Sequence, residues 1–514
     1  MLKRFSLGLV VLLSSAAGAD DFVDRANALY ANIQDARRSD EVLVPLLAKM
    51  DPPPVGVNNV VDAMLRPPTG PIWDAAKAWA IAAPQQALID AIDLVTTEED
   101  YHVAYAWGQP YGADRVSVAT VRSGLYSELG DPPLLAAAQF MYMPALNDLA
   151  CLVHVEATRL QAEGEPSAAA MLMTRWLFFS RQIADRAFTT EAAWGYRQMA
   201  LSLMRVRDIV YIDDIGPELI DPNDMVDYVD QLDARRGYLG FDRLIPPQGD
   251  RIAAEQLIER VLSKGGGVKV ESFAPTMARL NSVDRPLRLF GEAAAWDSAA
   301  RTHADFMATR DAVKRVYGDW EARWKADPFS TIFNRDPESK TVLADPDLAV
   351  ITAVLARGGR SMDDLFRERT RVSAELTGTR HALAIVAYSR NFGGFPPQIE
   401  SIRPRWIREI RADPYNSNRS SGRIPPLEYF VPERDTSGVH EMLIVTPNTP
   451  QFPTFSKPLY REDFVLYSHG PDNTKNWAKE IENSIDAPRG RDYLIWPPLS
   501  ALAREYLVQQ GGLE

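Results

Sequence analysis

The chain has 514 residues, of which 46% are hydrophobic, 24% charged and 9% aromatic, and its formal net charge is −13. This composition excludes an intrinsically disordered protein, and the acidic balance argues against a nucleic-acid partner, because phosphate binding needs clustered Lys and Arg. One cysteine excludes an intrachain disulfide and a multi-thiolate metal site.

The N-terminus has the pattern of a cleaved signal peptide. Lys3 and Arg4 precede the nine-residue apolar run 5–13, and small residues ending in Ala17-Gly18-Ala19 follow. The run is too short to cross a bilayer, which needs about 20 residues; a buried N-terminal helix is the alternative interpretation. The pattern predicts a signal peptide over residues 1–19 and a periplasmic or extracellular protein with no transmembrane segment after cleavage.

Residues 20–360 are predicted to form a mainly helical domain, with a possible sub-boundary near 246–270, where Pro and Gly interrupt the apolar periodicity. Three successive helices are expected over residues 131–160, 167–187 and 190–212. Asp131 and Thr190 are candidate N-caps, and Pro144 should kink the first helix. The short turns predict antiparallel packing.

Cysteine and histidine offer little chemistry in this pattern. Cys151 lies in the apolar stretch 149–153, which favours a buried small hydrophobe over a reactive thiol. The histidines are His102, His154, His303, His381, His440 and His469. No two have metal-ligand spacing, and we expect each to lie at the surface or partly buried, without an oriented catalytic partner.

The C-terminal region, residues 361–514, has a different character. Residues 396–514 hold 15 of the 37 prolines. A long helix is predicted over 362–392, ended by Asn391-Phe392-Gly393-Gly394. Strands are predicted over 427–431, 440–445 and 464–467. The fold class is therefore α+β: a large mainly helical N-terminal domain, then a long helix and a small antiparallel sheet.

An ordered series of short segments in this region carries a family resemblance. The segments are Gly394-Phe395-Pro396, Pro404-Arg405-Trp406-Ile407, Asp413-Pro414-Tyr415, Pro426-Leu427-Glu428-Tyr429 and the stretch DFVLYSHGPD at 463–472. Together they resemble the soluble part of type II secretion major pseudopilins, as found at the end of large exported proteins of planctomycete-like bacteria. The helical stretch 149–212 resembles uncharacterised parts of the same proteins. No prepilin-peptidase site precedes residue 362, so the resemblance implies only the soluble half of a pseudopilin.

The resemblance also implies a calcium site. Its ligands would be the Asp472 carboxylate, the Ser468 carbonyl, and Asp486 or Asp492, since calcium takes six to eight oxygen ligands. The chain departs from the family where Asn473 replaces a glycine and where Lys475 and Lys479 enter the loop. A turn of solvated polar residues is the alternative.

No metalloprotease, nucleophile-elbow, dinucleotide or phosphate-loop motif is present. This favours an exported, non-catalytic binding or scaffolding protein of the bacterial cell envelope, with an envelope or secreted protein as partner and no cofactor beyond the possible calcium. The alternative is a periplasmic hydrolase with its site in the helical domain, since the two acids of a glycosidase can lie far apart in sequence. A pocket with two converging titratable groups would favour the hydrolase. The tryptophans, Trp477 among them, are numerous enough to line a sugar groove, although packing is their default role.

Overall fold

The computed structural model describes most of the chain. The described residues are 19–98, 103–235, 237, 239–282, 289–326, 330–356, 361–416, 425–436, 438–445, 454–460, 463–482 and 490–512. The predicted signal peptide lies outside them except for Ala19 and stays a prediction. His102 and Asp486 of the predicted calcium site also lie outside the described residues.

Helices dominate the chain before residue 360. They are α1 (Ala19–Ala28), α2 (Ser39–Leu47), α3 (Val60–Leu65), α4 (Pro71–Ala80), α5 (Ala83–Thr96), α6 (Val118–Arg122), α7 (Met143–Ala162), α8 (Pro166–Ala184), α9 (Thr189–Asp214), α10 (Pro222–Gln231), α11 (Gly249–Val261), α12 (Val270–Ser282), α13 (Leu289–Thr302), α14 (Phe306–Lys325), α15 (Glu338–Leu343) and α16 (Ala349–Leu355). A short antiparallel pair, β1 (Ser127–Glu128) and β2 (Gln139–Phe140), precedes α7.

Of the three helices predicted over residues 131–212, all are present from Met143 onward as α7, α8 and α9, and α8 packs closely on α9. A Cβ atom at Gly195 of α9 would lie 2.3 Å from the Ala184 nitrogen and 2.8 Å from the Ser180 carbonyl oxygen of α8. Only glycine allows this approach of the two backbones. Cys151 of α7 is buried as predicted, and burial raises the pKa of its thiol to about 12.

Two details of the predicted helices are wrong. Residues 131–142 contain a turn, a short 3-10 segment and strand β2, so α7 begins only at Met143 and Pro144 occupies its first turn instead of kinking it. Proline is well tolerated there, because the first-turn N–H groups lack intrahelical acceptors. Thr190 does not cap α9, which begins at Thr189; the cap comes from the Asp250 carboxylate, which accepts hydrogen bonds from the Thr189 N–H and hydroxyl, both at 2.7 Å.

The C-terminal region contains the predicted long helix and two small sheets. Its elements are α17 (Met362–Phe392), β3 (Glu428–Phe430), α18 (Pro432–Asp435), β4 (His440–Val445), β5 (Phe455–Leu459), β6 (Val465–Ser468), β7 (Glu480–Glu482), β8 (Tyr493–Trp496) and α19 (Leu499–Gln509). The strand orders are β3-β6-β8 and β5-β4-β7; the pairs are antiparallel except β4–β7, which is parallel. Helix α17 begins with a capping box between Ser361 and Asp364 and ends at Gly393 in the left-handed conformation. The α+β class is confirmed.

The main hydrophobic core extends across residue 360. Helix α17 packs chiefly against α9 and α10, and one buried cluster joins residues from α2 to α19, among them Leu203 of α9, Leu383 of α17 and Ala501 of α19. Near the sub-boundary predicted at 246–270, α11 packs against α1, α14 and α16. The predicted boundary near 360 therefore marks a change in composition and element type but does not interrupt the core.

Helix α9 is buried along nearly all its length, and it carries charges into the core. Each of these buried charges has an ion-pair partner. The pairs are Glu191–Arg186 at 2.8 Å, Asp208–Arg504 at 2.5 Å, Asp208–Arg205, Arg207–Glu375 at 2.5 Å and Asp213–Arg390 at 2.9 Å. A buried charge is costly unless it is paired, so these contacts link α9 to α17 and α19 in one arrangement.

Candidate binding site at the start of α9

A cleft of about 400 Å³ lies beside the turn between α8 and α9. We call it the Tyr30–Arg186 cleft. Four segments line it: Leu29–Arg37, Val103–Ala106, the α8–α9 turn at Arg181–Ala187, and Ile245–Gln248. Its size falls within the range of small-molecule sites.

The floor of the cleft rests on a buried ion pair. The Nε atom of Arg186 donates to Glu191 Oε1 at 2.8 Å, and both side chains are fully buried. Nη2 donates to the Gln109 carbonyl at 2.8 Å. The guanidinium also lies 4.2 Å and 4.5 Å from the ring centroids of Tyr30 and Tyr111. Burial acts to lower the pKa of Arg186, but the Glu191 charge and the hydroxyls of Tyr111, Tyr30 and Tyr142 together outweigh it and hold this pKa well above its ordinary value.

A chain of tyrosine hydroxyls connects the cleft to Glu191. Tyr111 and Tyr142 both donate to the Glu191 carboxylate, Tyr111 at 2.8 Å. Because Tyr111 uses its one proton there, the hydroxyl of Tyr30, 3.0 Å away, must donate to Tyr111. The Tyr30 oxygen in turn accepts from the Ala187 N–H at 2.6 Å. The protons therefore point in one direction, from the cleft toward Glu191.

These tyrosines hold their protons at neutral pH. Burial raises the pKa of Tyr30 to about 12 and raises those of Tyr111 and Tyr142 well above their ordinary values. Tyr30 and Arg186, the members of this network that line the cleft, are thus fixed as a neutral phenol and a cation. General acid–base catalysis needs a pKa near the working pH, so this arrangement suits binding better than proton transfer.

The local fold explains why the network forms at this place. Glu191 lies in the first turn of α9, where the helix dipole favours a negative charge. Asp250 caps the same helix end, and burial raises the pKa of its carboxyl to about 6 although Thr189 donates two hydrogen bonds to it. Gly249 lets the capping segment approach, since a Cβ atom there would lie 2.7 Å from the Ala187 carbonyl oxygen.

The rim of the cleft combines cations with apolar groups. The Arg181 guanidinium pairs with Asp185 at 3.0 Å, and the Arg37 guanidinium lies 5.4 Å from the Tyr105 ring centroid. Within the described part of the chain, no carboxylate forms an ion pair with Arg37. Ile33 and Ile245 add aliphatic surface. The rim can therefore receive a small molecule that carries both an apolar body and a negative charge.

The structure places Ser468 of the predicted calcium site at the end of β6, Asp472 in the turn that follows, and Asp492 directly before β8. Asp472 accepts from the Thr474 N–H at 2.9 Å and the Arg491 N–H at 3.0 Å. Asp492 is buried and accepts from the Ala478 N–H at 2.7 Å, and burial raises its pKa to about 6. The Ser468 hydroxyl donates to Asp413 at 2.8 Å. Among the described residues, no group of three or more His, Cys, Asp or Glu side chains is arranged to hold a metal.

Sequence reasoning missed a polar cluster beside those residues. Asp413 is buried, which raises the pKa of its carboxyl to about 6, and His469 Nε2 lies 3.1 Å from Glu428 Oε1. That hydrogen bond raises the pKa of His469. Lys475 pairs with the other Glu428 oxygen at 2.8 Å. Asp413, Glu428 and His469 all lie within the segments that carry the family resemblance, but their spacing in sequence gives no sign that they meet.

Four of the described histidines differ from the prediction that each lies at the surface or partly buried, since His154, His381, His440 and His469 are all buried. His154 and His381 are fully buried, and neither ring nitrogen of either residue has a hydrogen-bond partner among the described residues. Burial lowers the pKa of each to about 3. His154 and His381 are therefore neutral side chains of the core.

Comparison with protein-family models, with curated proteins and with solved structures gives no match for this chain. The site must therefore be interpreted from its own chemistry. Among the described residues, no helix has both the length and the apolar content that crossing a membrane requires.

Proposed function

We propose that the protein is an exported, non-catalytic binding protein of the bacterial cell envelope, and that the Tyr30–Arg186 cleft is its ligand site. The observation that carries this proposal is a cleft of ligand size whose floor is an internally neutralised ion pair. The pKa values of Tyr30 and Arg186 lie far above neutral pH, so both residues keep their protons. A cleft built on such groups can hold a ligand without exchanging protons with it. The signal-peptide pattern supports export.

The ligand we propose is a small organic anion with an apolar body. Asp185 and Glu191 neutralise Arg181 and Arg186, which leaves Arg37 at the rim as the cation best placed to attract a carboxylate or phosphate. Tyr105 and the aliphatic side chains would contact the apolar body. Arginine suits this role because its planar guanidinium matches both anions.

The periplasmic hydrolase is the second candidate, and the cleft supports it less well. It needs two titratable groups that converge near the ligand with pKa values near neutral. Asp250 has such a pKa, about 6, but it is engaged as the cap of α9 and is not among the residues that line the cleft.

We also propose that residues 361–514 are a pseudopilin-like module that contacts an envelope or secreted protein. A long helix followed by short strands, in the order of the resembling segments, supports this part of the proposal. Calcium binding by Asp472, Ser468 and Asp486 or Asp492 stays a prediction within it. A melting curve with and without chelator tests the metal, and an unchanged midpoint would count against it.

Calorimetric titration tests the cleft with benzoate, hexanoate and phenyl phosphate as probes, and with benzyl alcohol and hexanol as neutral counterparts. We expect at least one anion to bind more tightly than its neutral counterpart. Arg37→Glu should weaken that binding about ten-fold or more, equivalent to about 1.4 kcal/mol. Arg122→Glu is the matched control, because Arg122 is an exposed arginine outside the cleft.

Equal binding of anions and neutral analogues, or no effect of Arg37→Glu, would refute the proposed ligand class. Release of phenol from phenyl phosphate would favour the hydrolase. Export is tested separately by sequencing the N-terminus of protein recovered from the periplasm. The expected first residue is Asp20, and a retained Met1 would contradict the signal peptide.

A further inference from the structure

A second cavity lies in the C-terminal region, far along the chain from the Tyr30–Arg186 cleft. It is a groove of about 620 Å³ between the β3–α18 segment, the start of β4 and the turn before β7. We call it the Trp477 groove. Its lining residues are Phe430, Asp435, Thr436, Val439, His440, Glu441, Trp477 and Lys479. Of these, Trp477 is 57% exposed and Val439 is 48% exposed.

The Trp477 ring is held in place from one side. The Lys475 ammonium lies 3.8 Å from the centroid of the ring, and the same ammonium pairs with Glu428 at 2.8 Å. Glu428 is itself fixed by His469. A cation over one ring face restrains the indole, so the ring meets a ligand with little further loss of side-chain freedom.

The backbone turn that presents Trp477 is an unusual conformation for such a residue. Trp477 and Ala478 have φ values of 58° and 53°, in the left-handed region that large side chains rarely adopt. The buried Asp492 carboxylate holds the turn by accepting from the N–H groups of Asn476 and Ala478 at 3.1 Å and 2.7 Å. The buried Asp492 carboxylate thus stabilises a strained turn, and this turn exposes the Trp477 ring to solvent. Strain of this kind is concentrated at functional sites.

The groups around the ring indicate what chemistry would fit the groove. Three of the lining residues are apolar, while Asp435, Thr436, His440, Glu441 and Lys479 are polar. A docking groove for an apolar peptide would be mainly apolar. A pyranose ring instead has an apolar face of C–H groups, which packs on an indole, and hydroxyls that donate to carboxylates and accept from ammonium groups.

The charges that line the groove further restrict the class of saccharide that would fit it. Asp435 is neutralised by Arg434, whose guanidinium donates to both carboxylate oxygens at 2.8 Å, so Glu441 and Lys479 bring one charge of each sign to the groove. The groove therefore has no excess of positive charge to attract an acidic polysaccharide. We propose that the Trp477 groove binds a neutral saccharide, with the free face of the Trp477 ring as the stacking platform and with Glu441 and Lys479 contacting hydroxyls. This site is independent of the proposed ligand of the Tyr30–Arg186 cleft.

Isothermal titration calorimetry of the full chain tests the proposal with cellohexaose and N-acetylated chitohexaose as neutral probes and hexagalacturonate as the acidic one. We expect a neutral hexasaccharide to bind and hexagalacturonate to bind at least ten-fold more weakly. Trp477→Asn should lower the affinity ten-fold or more while preserving the turn, because asparagine tolerates the left-handed conformation. Trp477→Phe, which retains a ring, should lose less. Tyr460→Ala is the matched control, since Tyr460 is 59% exposed at the end of β5 but does not line the groove.

Several results would overturn the proposal. These are the absence of binding of both neutral probes at millimolar concentration, equal affinity for hexagalacturonate, or equal loss in Tyr460→Ala and Trp477→Asn. The proposal would also be overturned if acrylamide quenching of Trp477 fluorescence decreased as the protein concentration rose, because a second copy of the chain would then occupy the groove. Circular dichroism of each variant verifies that a lost affinity is not a lost fold.

Discussion

Replacing Glu191 by glutamine should destabilise the protein strongly although the two side chains have nearly the same shape. Glu191 is fully buried and accepts hydrogen bonds from Arg186, Tyr111 and Tyr142. Glutamine retains one acceptor oxygen but removes the negative charge. The Arg186 guanidinium would then remain buried between the rings of Tyr30 and Tyr111 without a counter-charge.

The expected loss follows from the burial of both partners. Breaking a fully buried ion pair by removing one member costs about 3–5 kcal/mol, because the other charge stays desolvated. Total stabilities are about 5–15 kcal/mol, so this is a large fraction of the whole. Because the m-value for urea rises with chain length and should be at least about 3 kcal/mol/M here, the unfolding midpoint should fall by at most about 1–1.7 M.

A double-mutant cycle measured by urea unfolding tests this reasoning. Arg186→Met alone and Glu191→Gln alone should each be destabilising, whereas the double variant should be more stable than the sum of the two losses, with a coupling energy of about 2 kcal/mol or more. The double variant should not recover fully, because Arg186 also donates to the carbonyls of Trp107 and Gln109. A coupling energy below about 0.5 kcal/mol, or a Glu191→Gln variant as stable as the wild type, would refute the argument.

Two further predictions concern pH and packing. Burial raises the pKa of the Asp463 carboxyl to about 7. The folded chain therefore keeps a proton that the unfolded chain releases near its ordinary pKa of about 4. Because of this difference, the stability of the fold decreases as the pH rises from about 4 to about 7. The free energy of unfolding of Asp463→Asn relative to wild type should therefore rise by about 3 kcal/mol between pH 5 and pH 8 in urea unfolding. The same difference from wild type at both pH values would contradict this prediction. Gly195→Ala should destabilise by about 1–3 kcal/mol through its clash with Ala184, whereas Gly318→Ala, in the exposed interior of α14 with open space around it, should stabilise by about 0.5–1 kcal/mol. Thermal melts that rank the two alanine variants in the opposite order would be inconsistent with the close approach of α8 and α9.

The elements that could be predicted from the sequence have local signals at both ends. Helix α17 has the predicted limits, because Gly393 follows its last residue, Phe392, and adopts the left-handed conformation that ends the helix. Strand β4 shows the alternating burial expected of its sequence. The start of α9 could not be predicted, because its cap is Asp250, which comes from another segment of the chain. The helix predicted over residues 131–142 was wrong for a related reason: the apolar side chains there fit a helical period, but the backbone at Gln139 and Phe140 pairs with β1 instead.

The candidate site was out of reach of sequence reasoning for a different physical reason. Tyr30, Tyr111, Tyr142 and Glu191 come from four segments, and none of those segments has a motif. The sequence of α9 did contain one signal: charged residues such as Asp208 occur in a helix that has no separate polar face to contact solvent. Charges that would have to be buried predict ion pairs, but they do not name the partners, which depend on how the helices pack.

The division of the chain near residue 360 is the point at which composition and packing lead to different expectations. The change in proline content and the family resemblance suggest a separable module over residues 361–514, yet the long helix of that module packs chiefly against α9 and α10. Each fully buried aliphatic side chain of α17, such as Leu365, Val372 or Leu383, contributes about 1.5–3 kcal/mol. A few of them therefore equal the stability of a typical domain. We expect residues 361–514 expressed alone to lack cooperative unfolding, and we expect this fragment to co-purify with residues 19–356 when the two are co-expressed. A dispersed amide NMR spectrum and a cooperative melt for the isolated fragment would contradict this expectation and would instead support an independent pseudopilin-like module, because such a module must cover the apolar face of its own helix.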